Sequence, residues 1–166
     1  AVAIMCILGL PCVALADQPV DPIKLSELAA SGPAHDYTLD GPRADTYSGT
    51  ISTSSPIWNR IYNCDVSSSC AAVCTDSGVD GQYYQVIPIA VTAAENLECE
   101  VTAFQGTAGD STIQVYCDPF DPLQPLTNVV AYDDDDGTGA LSIFTAADGV
   151  LLQPGQTYYL VFSPFY

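Results

Sequence analysis

The amino-acid sequence predicts an all-β protein: an antiparallel β-sandwich of jelly-roll-like type, preceded by an N-terminal signal peptide and a short linker. Three observations carry that expectation. Short stretches rich in Val, Ile, Thr, Tyr and Phe recur along the chain, each bounded by Gly, Pro, Asp or Asn. No long stretch keeps the 3.6-residue apolar period of an amphipathic helix. Charged residues make up only 14% of the 166 residues, so the composition is that of one folded domain with a full core.

Taken in order, residues 1–16, AVAIMCILGLPCVALA, are uncharged, almost wholly apolar and end in Ala14-Leu15-Ala16, the small-x-small pattern of a signal-peptidase site. Export is the expectation. The run is shorter than the roughly 20 apolar residues of a membrane span and gives way at once to DQPVDP, so a retained anchor is the weaker reading. It lacks an initiating Met and a basic start, so the signal peptide is expected to begin upstream. Lipidation at Cys12 is not expected, because Pro11 departs from the small residue that a lipoprotein box places there. Residues 17–44, rich in Pro, Ala, Ser and Asp, form the linker, with only KLSELAA (Lys24 to Ala30) suited to a short helix. The domain then occupies residues 45–166, with strand signals in DTYSGTIST, QYYQVIPIAV, NLECEVTAF, STIQVYC, NVVAY, ALSIFTA and QTYYLVFSPF.

Twenty Asp and Glu against three Lys and Arg give a net charge of -17, which repels nucleic acid and anionic membrane surfaces. The partners that remain are an extracellular protein or polysaccharide, with no nucleic acid and no membrane after signal cleavage. Of seven Cys, Cys6 and Cys12 fall in the leader, leaving Cys64, Cys70, Cys74, Cys99 and Cys117, an odd number in a chain expected to meet oxidising conditions. Cys99 and Cys117 are equidistant from the turn-like GTAGD, so a hairpin closed there pairs them, with Val101 opposite Val115 and Ala103 opposite Ile113. That register predicts a Cys99–Cys117 disulfide, with paired small hydrophobes as the alternative. Glu98, Glu100, Thr102, Thr112 and Gln114 take the other face. Two of Cys64, Cys70 and Cys74 are expected to pin their Ser-rich loop. A zinc site is not expected, because C-x5-C-x3-C lacks a fourth ligand and His35 lies in the linker.

The segments YDDDDGTGALS (Tyr132 to Ser142) and LQPGQTYYLVFSPF (Leu152 to Phe165), with GDSTIQVY, FDPLQPLTNVVAY and an opening YSGTISTSSPIWNR, together resemble the bacterial pre-peptidase C-terminal domain. The resemblance runs from about Tyr47 to Phe165. It implies a β-sandwich on a secreted or cell-surface protein, a non-catalytic accessory role in secretion or in binding substrate or matrix, and calcium in some members. It also implies that Trp58 and the Asn59-Arg60 pair are recurring structural residues. The Cys-rich loop at residues 64–74 and the Cys99 and Cys117 positions depart from the family's pattern.

The strongest chemical signal is Asp133, Asp134, Asp135 and Asp136 before Gly137. Adjacent carboxylates repel unless solvated or neutralised, and calcium takes six to eight oxygen ligands. If STIQVYCD and NVVAYDDDD pair antiparallel, Asp110 approaches the cluster, making Asp110 with Asp133 to Asp136 the candidate metal ligands and calcium the candidate cofactor. The spacing is not that of an EF-hand, and a solvated acidic turn is the alternative. Asp118 and Asp121, beside Pro119 and Pro122, are expected to cap turns. Trp58, Arg60 and Tyr62 are the candidate ligand surface, weighed against core packing.

No catalytic residues are assigned: G-x-S-x-G is absent and the single His has no nucleophile beside it. The function expected is a secreted, non-catalytic binding or adhesion module. The alternatives are a structural repeat or fragment of a longer surface protein or filament and, behind that, a small secreted hydrolase using paired carboxylates.

Overall fold

The computed structural model describes residues 2–7, 38–39, 44–104 and 109–165. The expected helix at Lys24–Ala30, His35, Cys12 and most of the expected leader and linker therefore lie outside the described residues. The strands are β1 (Val2–Ile7), β2 (Thr38–Leu39), β3 (Ala44–Gly49), β4 (Ile57–Tyr62), β5 (Thr75–Tyr83), β6 (Gln85–Val91) and β7 (Glu95–Asn96). They continue with β8 (Cys99–Phe104), β9 (Ser111–Cys117), β10 (Val129–Asp133), β11 (Ile143–Phe144), β12 (Leu151–Leu152) and β13 (Thr157–Pro164). Among the described residues a single 3-10 turn, Ala146–Asp148, interrupts them. Among the described residues no helix is long and apolar enough to cross a membrane.

The architecture is all-β with antiparallel sheets. One sheet has the order β11-β8-β1-β3 and a second the order β10-β9-β13-β6-β2, with β7–β12 and β4–β5 as two-stranded ribbons. The short parallel pairing of β2 with β6 is the exception to the antiparallel pattern. The main core draws on both large sheets: Cys99 and Val101 from β8 meet Ile113, Val115 and Cys117 from β9 and Tyr158, Leu160 and Phe162 from β13. A second core lies on the opposite face of the five-stranded sheet. Tyr116, Val129 and Val161 pack there against Trp58 and Ile61 of β4, with Tyr84, Ala72 and Phe120. This is why every residue of β9 is buried. A strand covered on both faces reads as a continuous run, so Thr112 and Gln114, placed on an outer face by alternation, are fully buried.

The expected Cys99–Cys117 hairpin is corrected by the structure. β8 pairs with β1 and β11, whereas β9 pairs with β10 and β13, so the chain between them changes sheets instead of folding back. Period-2 alternation predicts the same inward residues for a hairpin and for a crossover between facing sheets, and only hydrogen bonding separates the two. Cys117 is joined to Cys70, and Cys64 to Cys74. The loop these bonds hold lies along the outer edge of the five-stranded sheet. The amide of Ser67 donates to the Val130 carbonyl at 2.8 Å and that of Ala72 to the Val129 carbonyl at 3.0 Å. The Cys-rich loop thus covers the otherwise open edge of β10.

Of the two aspartates expected to cap turns beside Pro, Asp121 does so, its carboxylate accepting from the Leu123 amide at 2.9 Å. Asp118 instead accepts from the Tyr159 hydroxyl of β13 at 2.9 Å. Inside this connection Tyr116 donates to the Pro125 carbonyl and Asn128 to the Pro119 carbonyl, both at 2.9 Å.

Candidate functional site

The antiparallel pairing of β9 with β10 places Asp133 opposite Ile113, so the acidic turn that leaves β10 emerges beside the residues that enter β9. Two buried serines fix that junction. Ser142 Oγ donates to the Ser111 carbonyl at 2.7 Å and contacts the Asp134 carbonyl at 3.1 Å, while the Ser142 amide donates to Ser111 Oγ at 3.1 Å. The Gly137 amide donates to the Leu141 carbonyl at 2.8 Å, closing the turn so tightly that a Cβ on residue 137 would strike that carbonyl. The glycine after the aspartates is there for space.

The five candidate carboxylates separate into different environments. Asp133, 8% exposed, points inward and accepts from the Ile143 amide at 2.8 Å. Asp134 is half-buried and accepts from the Tyr132 hydroxyl at 3.1 Å, whereas Asp135 and Asp136 are exposed. Asp110 has one carboxylate oxygen shielded from solvent without a hydrogen-bond partner. Burial, followed by the charges of Asp135 and Asp134, raises its pKa against the lowering influence of Arg60. Among the described residues no group of three or more His, Cys, Asp or Glu is placed to hold a metal ion. The carboxylates therefore do not form a closed cage. What they share is mutual repulsion between Asp110 and the Asp134–Asp135 pair, which a cation that keeps much of its water would relieve.

Of the candidate ligand surface, Trp58 and Arg60 are buried and Tyr62 alone faces outward, at 42% exposure. Alternation at the start of β4 turns residues 58 and 60 inward, and register shifts on either side of Arg60 break it, so that Ile61 is buried as well and Tyr62 is left exposed. Trp58 sits among Tyr84, Tyr116 and Phe120, with ring centroids 5.9, 6.2 and 6.0 Å away. Arg60 joins the two halves of the site. Its Nη1 donates to the Tyr132 hydroxyl at 3.1 Å, and its guanidinium carbon lies 4.3 Å from the centre of the Phe165 ring. Tyr62 then packs edge-on against Tyr132 and Phe165, at 5.9 and 6.4 Å. The chain Arg60, Tyr132, Asp134 makes one continuous face from the aromatic group and the acidic turn.

Sequence reasoning missed Tyr132 and Phe165 as members of this face. A signal for Tyr132 was present, since it precedes the Asp run on the strand paired with β9. Burial, with help from Asp134, raises its hydroxyl pKa well above the ordinary value, so it stays a neutral donor.

No family model, curated protein or solved structure matches the chain.

Asp133 gives the junction a measurable pH dependence. Burial is the largest influence on it, and its pKa is pushed up from 3.8 to about 7 despite the amide hydrogen bond from Ile143. A carboxyl that holds its proton more tightly in the folded state stabilises the fold below the unfolded pKa, and that contribution is lost as pH rises through the folded value. Stability measured in EDTA is therefore expected to fall between about pH 4 and pH 7 on account of this group. Asp133→Asn, which stays neutral and keeps an acceptor for Ile143, is expected to remove that fall and to be more stable than wild type at pH 8 by about 1–2 kcal/mol. Urea unfolding of both proteins from pH 4 to pH 8 measures this. Parallel pH profiles would show that the carboxyl does not titrate in that range.

Proposed function

We propose that this protein is an extracellular, non-catalytic binding or adhesion module, a β-sandwich of the pre-peptidase C-terminal type, that meets its partner through the joined acidic and aromatic face. The observation that carries the reading is the Arg60–Tyr132–Asp134 chain, which sets exposed Tyr62 beside the aspartates that leave β10. A buried arginine held by a hydroxyl and a ring fixes the rims of that face without neutralising it. The face is negatively charged with aromatic edges, a combination suited to a partner presenting cations, ring-stacking hydroxyl-rich sugars or a basic protein surface. Two disulfides and a strongly acidic composition support an oxidising extracellular setting.

Calcium enters this reading as a hydrated counter-ion shared by Asp110, Asp134 and Asp135, supported by the repulsion among them. Thermal unfolding in EDTA and in millimolar calcium tests it, with an Asp134→Asn, Asp135→Asn double variant alongside. Calcium is expected to raise the midpoint by several degrees in the wild type and to leave the variant unmoved. The same midpoint with and without calcium in the wild type would remove the ion and leave a solvated acidic turn. Binding of the module to immobilised polysaccharides and extracellular proteins, compared with a Tyr62→Ala variant, tests the face itself.

A further inference from the structure

We propose that Val2–Ile7 stays in the folded protein as an internal strand and is cross-linked through Cys6 to Cys99. The sequence reads these residues as part of a removable leader, and the inference does not depend on the acidic face. β1 lies between β8 and β3 in its sheet and is paired antiparallel with both. Its register runs from Val2 opposite Gly49 to Ile7 opposite Ala44 on one side, and from Val2 opposite Phe104 to Cys6 opposite Cys99 on the other. An unbroken apolar run of six residues reads as a short buried strand and equally as a leader's apolar segment, so the sequence does not separate the two.

The sheet depends on this strand. β3 is joined to it only through β1, and its Tyr47 packs against the main core. On the other side of β8, β11 reaches only Glu100 and Cys99, so beyond Glu100 the strand paired with β8 is β1. Without β1, β3 loses its sheet neighbour and β8 presents an open edge, the arrangement that soluble proteins avoid.

The cysteine register points the same way. Residues directly opposite in an antiparallel ladder have Cα atoms about 4.5–5.5 Å apart, inside the roughly 4.4–6.8 Å range that a disulfide spans. Cys99 is 1% exposed, in the main core, and stands directly opposite Cys6 in the ladder. In forming the bond each thiol gives up its proton, and two electrons pass to an external disulfide of the glutathione or oxidoreductase class, which leaves as two thiols.

Peptide mapping of the full chain, produced in an oxidising compartment and alkylated before digestion, tests the proposal. A protease cutting before Asp separates the cysteines cleanly. Residues 1–16 carry Cys6 and Cys12, residues 80–109 carry only Cys99, and residues 110–117 carry only Cys117. The expected result is a linked pair of 1–16 with 80–109, lost in Cys6→Ser and retained in Cys12→Ser. A mature chain beginning at Asp17, an alkylated Cys99, or a link that survives Cys6→Ser and vanishes in Cys12→Ser would each overturn it. Any of these would leave the acidic and aromatic face as proposed.

Discussion

Replacing Cys70 and Cys117 together by serine is expected to lower the stability of the folded protein by about 4 kcal/mol and its thermal midpoint by roughly 10 °C. The bond closes a chain segment with a sequence separation of 47, against 10 for Cys64–Cys74. In the chain-entropy account the longer closure restrains the unfolded ensemble more, so the corresponding loss for Cys64→Ser, Cys74→Ser is about 3 kcal/mol. The two double variants should differ in a second way. Cys70–Cys117 is the covalent tie between the loop and β9, whose neighbour β10 has its outer edge covered by the amides of Ser67 and Ala72. Releasing that tie lets the loop leave, exposing the edge to other chains, and aggregation on heating should follow. Removing Cys64–Cys74 keeps the tie and should leave unfolding reversible. Calorimetry with repeat scans on both variants measures the midpoints and the reversibility. Equal midpoints for wild type and the Cys70, Cys117 double variant would mean that the loop is held by its backbone bonds alone.

How far the sequence carries toward this picture depends on the distance over which each contact acts. The strands that became β9, β10 and β13 are legible because their β-branched and aromatic residues lie between turn residues that act locally. The approach of Asp110 to the acidic turn is legible too, since the strands are joined by one connection and their antiparallel register sets which ends meet. The β8 to β9 connection is not legible, because a change of sheet and a hairpin place the same side chains inward. Nor is β5: TDSGVDGQY carries two glycines and two aspartates and is held in extended form by β4 alongside it, a tertiary influence that propensity does not contain. The partner of Cys70 is hidden for the same reason, lying 47 residues away. Val2–Ile7 is hidden because an internal strand and a leader share one composition.

Trp58→Ala is expected to cost about 3–5 kcal/mol, because it empties the centre of the second core. Trp58 is 2% exposed and makes ring contacts with Tyr84, Tyr116 and Phe120, and Phe120 also contacts both tyrosines, so this aromatic group would lose a neighbour common to all three. A midpoint fall of roughly 10 °C follows for a chain of this size, and circular dichroism should be the probe, since Trp58 is the only tryptophan. Trp58→Phe makes the contrast sharper. It keeps a ring in the cluster and removes Nε1, which is buried without a hydrogen-bond partner. A donor left unsatisfied in the interior is itself unfavourable by about 1–3 kcal/mol. Its removal offsets part of the lost volume, and the phenylalanine variant should fall short of wild type by no more than about 1.5 kcal/mol. Were Trp58 a ligand platform, both substitutions would leave stability unchanged and weaken binding equally. The packing role requires a large loss for alanine, a small one for phenylalanine, and Tyr62 as the aromatic residue whose replacement changes binding without changing the midpoint.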